Sequence, residues 1–268
     1  MKRLHLFEFH DLDSFPHAWR NLTTDWLAFF EQVFNPYQRA FPMLVQAART
    51  AGASNLLDLC SGSGQAMISL AGFLEKIGDQ SLVITLTDKF PDLQAFEAAA
   101  KNSRGRIRFL PEPVDAAALP PALNGFRTMF TSFHHFRPEA ALGLIKDAVA
   151  QNQGIGIFEY TERSWVWFCA LLFSPLVFAA AAFLIKPFSW KRLFWTLTIL
   201  PMLCAIWDGY VSCLRTYSTA QLNELVRKAD ARNYLWRAER VRAFGGCFIT
   251  CLIGFPAPDA PKTADAEF

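Results

Sequence analysis

Residues 58–65 place an acid, several small residues and a polar helix start within eight positions. An apolar run ends at Asp58 and is followed by Cys60, Ser61, Gly62 and Gly64. Small residues let a turn bring backbone N–H groups and a helix N-terminus close to a ligand. The segment predicts a strand, a tight turn and a helix that together bind a nucleotide-like cofactor.

The residue after this turn separates two cofactor classes. Met67 stands where the dinucleotide fingerprint GxGxxG requires its third glycine. Methionine there would push the helix away from the strand and from a pyrophosphate. S-adenosylmethionine has no pyrophosphate. Its cationic amino group suits Asp58, with a water molecule bridging the two. The pattern therefore favours S-adenosylmethionine over NAD.

Further acids follow the next two predicted strands. Asp88 is placed to accept both ribose hydroxyls, as the corresponding carboxylate does in dinucleotide folds. Asp115 and Ala116 follow the third strand and are placed near an adenine. A single acid after a strand is also typical of a helix cap. Three acids at successive strand ends, however, fall on the edge where open parallel sheets bind ligands.

On these residues the chain resembles class I S-adenosylmethionine-dependent methyltransferases. Residues 58–64 are similar to the first motif of that family, Asp/Glu-x-Gly-x-Gly-x-Gly, with Cys60 in place of the first glycine. Thr87-Asp88 matches the ribose-binding acid and residues 114–116 match the adenine motif. Residues 130–136 resemble the strand-four segment of small-molecule and lipid methyltransferases, which often carry a His-His pair.

The resemblance covers residues 50–160 well and residues 208–255 more loosely. It implies S-adenosyl-L-methionine as cofactor, held by Asp58, Cys60, Ser61, Gly62, Gly64, Asp88, Lys89, Asp115, Ala116 and Ser132. The Asn/Asp-Pro-Pro-Tyr motif of amino-methylating DNA and protein enzymes is absent from the sequence, which argues against those substrates.

Candidate residues for the methyl acceptor follow strands four and five. His134, His135 and Glu159 could remove a proton from a hydroxyl or an amine. Alternatively, one histidine caps the next helix and the other packs beside the cofactor, and Glu159 pairs with Arg163 or Arg215. Asp208, Tyr210 and Arg215 are candidate substrate contacts, and the alternative is a loop with a sharp turn at Gly209.

The elements that must position these residues alternate between strands and helices. We expect an α/β fold with a Rossmann-like seven-stranded sheet, mostly parallel with the last strand antiparallel. The expected divisions are an N-terminal helical cap (1–52), a methyltransferase core (53–162 and 208–256), a hydrophobic helical hairpin inserted after strand five (163–207) and a disordered tail (257–268). Residues 23–25 are expected to cap a helix whose apolar face includes Trp26, Leu27, Phe30 and Phe34.

Composition limits the possible partners. The chain of 268 residues has a net charge of +2, which gives no argument for nucleic acid. Its six cysteines form no CxxC and no zinc-ligand spacing, so we expect no metal and a reduced, cytoplasmic environment.

The apolar residues are concentrated in the insert. Residues 165–185 carry no charge, and a second apolar run spans 193–207. The insert could dip into one leaflet, span the bilayer as a pair, or form a soluble lid or dimer interface. We favour the dipping hairpin, on the cytoplasmic side of a membrane, with membrane lipid as a partner.

The sequence therefore predicts an enzyme that methylates a small, lipophilic acceptor at a membrane surface. A non-catalytic, cofactor-binding membrane adaptor of the same fold is the alternative, and an NAD-dependent reductase is disfavoured by Met67.

Overall fold

A seven-stranded sheet forms the centre of the computed structural model, which describes residues 1–258. The strands are β1 (Asn55–Asp58), β2 (Val83–Leu86), β3 (Ile107–Phe109), β4 (Phe126–Phe130), β5 (Ile155–Glu159), β6 (Tyr234–Arg242) and β7 (Phe248–Pro256). Their order is β3-β2-β1-β4-β5-β7-β6. Strands β1 to β5 are parallel, and β7 is antiparallel to both β5 and β6. The predicted fold class is confirmed.

Helices cover both faces of the sheet because successive strand residues point to opposite sides. Leu56 packs with the face covered by α2 (Phe41–Thr50), α3 (Gln65–Lys76) and α4 (Leu93–Asn102). Leu57 packs with the opposite face, under α5 (Pro138–Ala150) and α10 (Thr219–Ala229). The sheet is thus buried on both sides, and its carboxyl edge is left for a site.

The first long helix, α1 (His17–Phe34), begins earlier than the sequence predicts. Thr23 and Thr24 do not cap it, because their hydroxyls donate to the carbonyls of Trp19 and Arg20 one turn back. Trp26 is buried, as expected, whereas Leu27 is 45% exposed. The cap prediction was wrong because the helix begins at His17, which places both threonines in its interior instead of at its first turn.

Four helices lie between β5 and β6: α6 (Trp165–Leu172), α7 (Ser174–Leu184), α8 (Trp190–Leu197) and α9 (Ile199–Arg215). They pack on the N-terminal helix, where the rings of Trp26 and Phe178 stack with centroids 4.2 Å apart. Within residues 1–258, no single helix has the length and apolar character to cross a bilayer. By length and composition alone, α6 with α7 and α8 with α9 would be long enough as pairs, which are bent by 58° and 77°.

Helix α9 continues past the expected end of the insert at residue 207. Gly209 forms no turn there; it lies in α9, and a Cβ at this position would come within 2.7 Å of Leu171 Cδ2. Any larger residue here would require Leu171 to shift, so glycine permits the close approach of α9 to α6. The predicted tail, 257–268, lies outside the described residues apart from its first two.

Candidate active site at the carboxyl edge of the sheet

The turn after β1 adopts left-handed backbone conformations. Cys60, Gly62 and Gly64 have φ angles of 58°, 56° and 74°. A Cβ on Gly64 would lie 2.9 Å from Leu86 Cδ1, so the turn packs closely against β2. Ser61 fixes the turn, because its N–H donates to the Thr87 carbonyl over 3.0 Å. Cys60 therefore takes the backbone position of a glycine.

Two of the three predicted carboxyls make contacts that fix them beside this turn. Asp58, 2% exposed, accepts from the Thr128 hydroxyl at 2.7 Å. Asp88 accepts from the Gly62 N–H and the Phe90 N–H, each at 2.8 Å. Burial raises the pKa of Asp58 to about 7, with the charge of Asp88 adding to the effect and the Thr128 hydrogen bond opposing it. Burial likewise raises the pKa of the Cys60 thiol.

The remaining cofactor candidates lie farther along the same edge. Asp115 accepts from the Ala117 N–H at 2.8 Å and caps a short 3-10 helix that begins at Ala116. The Ser132 hydroxyl is buried, and none of the described residues forms a hydrogen bond with it. Lys89 is half exposed and lies 3.5 Å from Asp13. Asp115 thus has the helix-capping contact that the sequence left open.

A fourth carboxyl, which the sequence analysis missed, reaches this edge from the N-terminal helix. Glu31 Oε1 lies 3.4 Å from the Tyr37 hydroxyl, which lies 2.6 Å from the Thr131 hydroxyl just after β4. Burial, together with the charge of Asp58, raises the pKa of Glu31 to about 8 although the Tyr37 hydrogen bond opposes the shift. In the sequence, the one feature that could have indicated Glu31 is that it is an acid among the apolar residues of α1.

The acceptor-side residues form a buried pair. Glu159 Oε2 lies 2.8 Å from His134 Nδ1, and Glu159 Oε1 accepts from the His134 N–H at 3.1 Å. Both side chains are 2% exposed. Burial opposes ionisation of Glu159, but the charge and hydrogen bonds of His134 outweigh it and lower its pKa. Glu159 therefore pairs with His134 instead of either arginine considered from the sequence.

The N-terminal segment, residues 1–16, covers this pair. Glu8 Oε1 lies 3.9 Å from His134 Nε2, which has no hydrogen-bond partner within residues 1–258. Asp11 lies 2.7 Å from His135 Nδ1. Burial lowers the pKa of His135, but the charges of Glu8 and Asp11 and the Asp11 hydrogen bond outweigh it and raise the value to about 9. His135 is consequently an imidazolium at neutral pH.

The three predicted substrate contacts bind other parts of the chain. Asp208 accepts from the backbone N–H groups of Phe9 and His10 at 2.8 and 3.2 Å. Arg215 lies 3.2 Å from Glu8 Oε1 and 2.6 Å from Asp11 Oδ2. The Tyr210 hydroxyl donates to the Phe168 carbonyl at 3.0 Å. Asp208 and Arg215 thus hold the N-terminal segment in place, and Tyr210 joins α9 to α6.

Glu8, His134 and His135 bring possible metal-ligand atoms within 4.8 Å of one another. The Arg215 guanidinium already lies against Glu8 and Asp11 on this cluster. The cluster therefore carries its own positive charge, as a buried network of acids requires.

A groove of about 960 Å³ lies between α1, the N-terminal ends of α3 and α4, and the connection from α7 to α8. Asp25, Ser63 and Arg192 are among its lining residues, whereas Asp58, His134 and Glu159 are not. The groove is lined both by residues of the insert and by Ser63 of the glycine-containing turn.

Comparison with known proteins gives similarity only among solved structures. No protein-family profile matches the sequence, and no curated protein matches it. An O-methyltransferase from neocarzinostatin biosynthesis, in complex with S-adenosylmethionine and a naphthoic acid, is 12% identical with a TM-score of 0.48. The match covers 86% of this chain and 55% of that one, so this chain spans about half its length.

Two further structures are similar at the same level. An O-methyltransferase family protein from Burkholderia thailandensis is 16% identical, with 89% of this chain and 59% of that chain covered and a TM-score of 0.48. Magnesium protoporphyrin IX methyltransferase from Synechocystis, with bound SAH, is 12% identical, with 81% and 80% covered and a TM-score of 0.46. The fold class rests on this chain's own strand order, which is the sheet expected of a class I methyltransferase.

Proposed function

We propose that this protein is an S-adenosylmethionine-dependent methyltransferase. The observation that carries the proposal is the meeting of Asp58, Asp88 and the turn at Gly62 and Gly64 beside the switch point between β1 and β4. Ligands of open α/β sheets bind in the crevice at such a switch point.

The acids there suit a cationic nucleoside. Within residues 1–258, neither Asp58 nor Glu31 forms an ion pair, and burial raises the pKa of both. Asp58 would bind the amino group, Asp88 the ribose hydroxyls, and Asp115 with Ala116 the adenine. When bound, S-adenosylmethionine supplies a methyl carbon activated by its sulfonium. The chain's own residues then align the acceptor and exclude water.

His134 is the proposed proton acceptor, with Glu159 as the residue that orients it. Glu159 Oε2 lies 2.8 Å from Nδ1, and in the neutral imidazole Nε2 would accept a proton from a hydroxyl or amine once the N-terminal segment with Glu8 moves away. Glu159 also stabilises the imidazolium that forms. His135 is a poorer candidate, because its raised pKa keeps it protonated at neutral pH.

The proposed acceptor is lipophilic and is reached at the cytoplasmic side of a membrane. Helices α6 to α9 expose large apolar side chains, with Trp165 75% and Trp190 77% exposed. Lys186 and Lys191 lie in the connection and helix start between the two bent pairs. Exposed tryptophan and apolar residues beside lysines suit the interface of an anionic bilayer.

One observation favours the second candidate, a non-catalytic membrane adaptor. His134 and Glu159 are buried beneath Glu8, so an acceptor reaches them only if the N-terminal segment moves. A catalyst needs that movement, whereas an adaptor does not.

Methyl transfer from radiolabelled S-adenosylmethionine to lipids that copurify with the protein separates these functions. We expect transfer by the native chain and a loss of about 10²-fold or more in Glu159→Gln, since general-base catalysis typically contributes that much. The control is Glu97→Gln on the exposed face of α4. Native protein that binds the cofactor but transfers no methyl group to any extracted lipid or soluble small molecule would favour the adaptor.

A further inference from the structure

Glu31 lies over the centre of the carboxyl edge although it belongs to the N-terminal helix. Its carboxyl is 3.4 Å from the Tyr37 hydroxyl, and that hydroxyl is 2.6 Å from Thr131 Oγ1. Thr131 Oγ1 also accepts from the Tyr160 N–H at 3.2 Å. Glu31 is therefore connected to the ends of β4 and β5, next to the end of β1.

In the part of the chain that the structure describes, Glu31 has no basic side chain as a partner. Its carboxyl accepts from the Tyr37 hydroxyl at 3.4 Å, and the nearby Asp58 is itself an acid. Within residues 1–258 Glu31 forms no ion pair. An ionised carboxylate in such a place is unfavourable unless a cation compensates it.

We propose that Glu31 is the counter-ion of the cofactor's sulfonium. This inference rests on the proposed function and adds a residue to it. A methyl acceptor that used His134 and Glu159 would lie after β4 and β5, which these two residues follow or end. Glu31 reaches the ends of β4 and β5 through Tyr37 and Thr131, whereas Asp58 ends β1 and accepts from the Thr128 hydroxyl of β4. Each acid would therefore pair with one cationic group of the cofactor: Asp58 with the amino group and Glu31 with the sulfonium.

The positive charge of the sulfonium disappears as its methyl group leaves. A carboxylate near it therefore stabilises the bound cofactor more than the transition state. Affinity for the charged cofactor, rather than transfer rate, is the quantity that reports on Glu31.

The test compares two ligands that differ in this one charge. S-adenosylmethionine carries the sulfonium, and S-adenosylhomocysteine carries a neutral thioether. In Glu31→Gln, isothermal titration calorimetry is expected to show affinity for S-adenosylmethionine reduced by about tenfold, the loss of one charge-assisted contact. Affinity for S-adenosylhomocysteine is expected to change by less than about twofold. Glu97→Gln, on exposed α4 surface, is the matched control and should change neither.

Equal losses for both ligands, or no loss for either, would overturn the inference. Failure of the native protein to bind either ligand would instead refute the proposed function. Glu31→Met is the second variant, for use if Glu31→Gln does not give a cooperative thermal transition. It removes the charge with an apolar side chain of similar length, and the expected loss of preference for S-adenosylmethionine is the same.

Discussion

Cofactor binding should release protons, because two carboxyls at the carboxyl edge are partly protonated before a cation arrives. The pKa of Asp58 is about 7 and that of Glu31 about 8. At pH 7 they hold about 0.5 and about 0.9 of a proton, respectively. A bound cation favours the ionised form of each, so about 1.4 protons leave the protein.

The ligand offsets a small part of this release. An α-amino group with a pKa of about 7.7–8.0 is already mostly protonated at pH 7 and would take up about 0.1–0.2 of a proton. The expected net release at pH 7 is slightly more than one proton. At pH 9 the carboxyls hold only about 0.1 of a proton together, so their release nearly vanishes. Affinity should accordingly rise as pH increases through 7 and level off near pH 8, where proton uptake by the amino group matches the remaining release from the carboxyls.

Calorimetric titration with S-adenosylmethionine in buffers of different ionisation enthalpy measures this release. The slope of observed heat against buffer enthalpy gives the number of protons exchanged. Glu31→Gln should lower the release at pH 7 by about 0.9 of a proton, whereas Glu97→Gln should leave it unchanged. Tight binding without any proton release at pH 7 would show that no cation meets these two acids, and would refute this account of the site.

Three further predictions concern the turn, the N-terminal segment and the insert. Gly64→Ala should reduce cofactor affinity and lower the free energy of unfolding by about 1–3 kcal/mol, because its Cβ would lie 2.9 Å from Leu86 at a φ of 74°; Gly143→Ala, with open space around its Cβ, is the control in chemical denaturation. The raised pKa of His135 stabilises the fold at pH values below about 6.5 and this contribution is lost as pH rises through about 9; urea unfolding at pH 7 and pH 10 should show a larger loss in the native chain than in His135→Gln, and equal losses would contradict the proposed pairing with Asp11. Trp165→Ser combined with Trp190→Ser should reduce flotation with anionic vesicles, whereas Leu235→Ser, 50% exposed on β6, should not; native protein that never floats with vesicles would argue against the membrane proposal.

The sequence predicted those features of the site that are local in the chain. The turn from Asp58 to Gly64 could be predicted because strand end, small residues and helix start are consecutive. Asp88 could be predicted because strand order brings the ends of parallel strands to one edge. Helix α3 likewise begins at Gln65, where the pattern placed a helix start.

Contacts between distant segments could not be predicted in this way. Glu8 and Asp11 reach His134, His135 and Arg215 across more than a hundred residues of sequence. Nothing in the spacing of residues 1–16 indicates that the segment folds back over β4 and β5. Gly209 was misinterpreted for the same reason, since its role depends on the approach of α6 to α9.

The central claim is that the acids and the glycine-containing turn at the ends of β1 and β2 bind an adenosyl sulfonium. Calorimetric titration of the native chain with S-adenosylmethionine and with NAD tests it most directly. The account predicts saturable binding of one S-adenosylmethionine per chain, weakened by about 1.5–3 kcal/mol in Asp88→Ala, and no binding of NAD. Absence of S-adenosylmethionine binding, or binding that Asp88→Ala leaves unchanged, would contradict it.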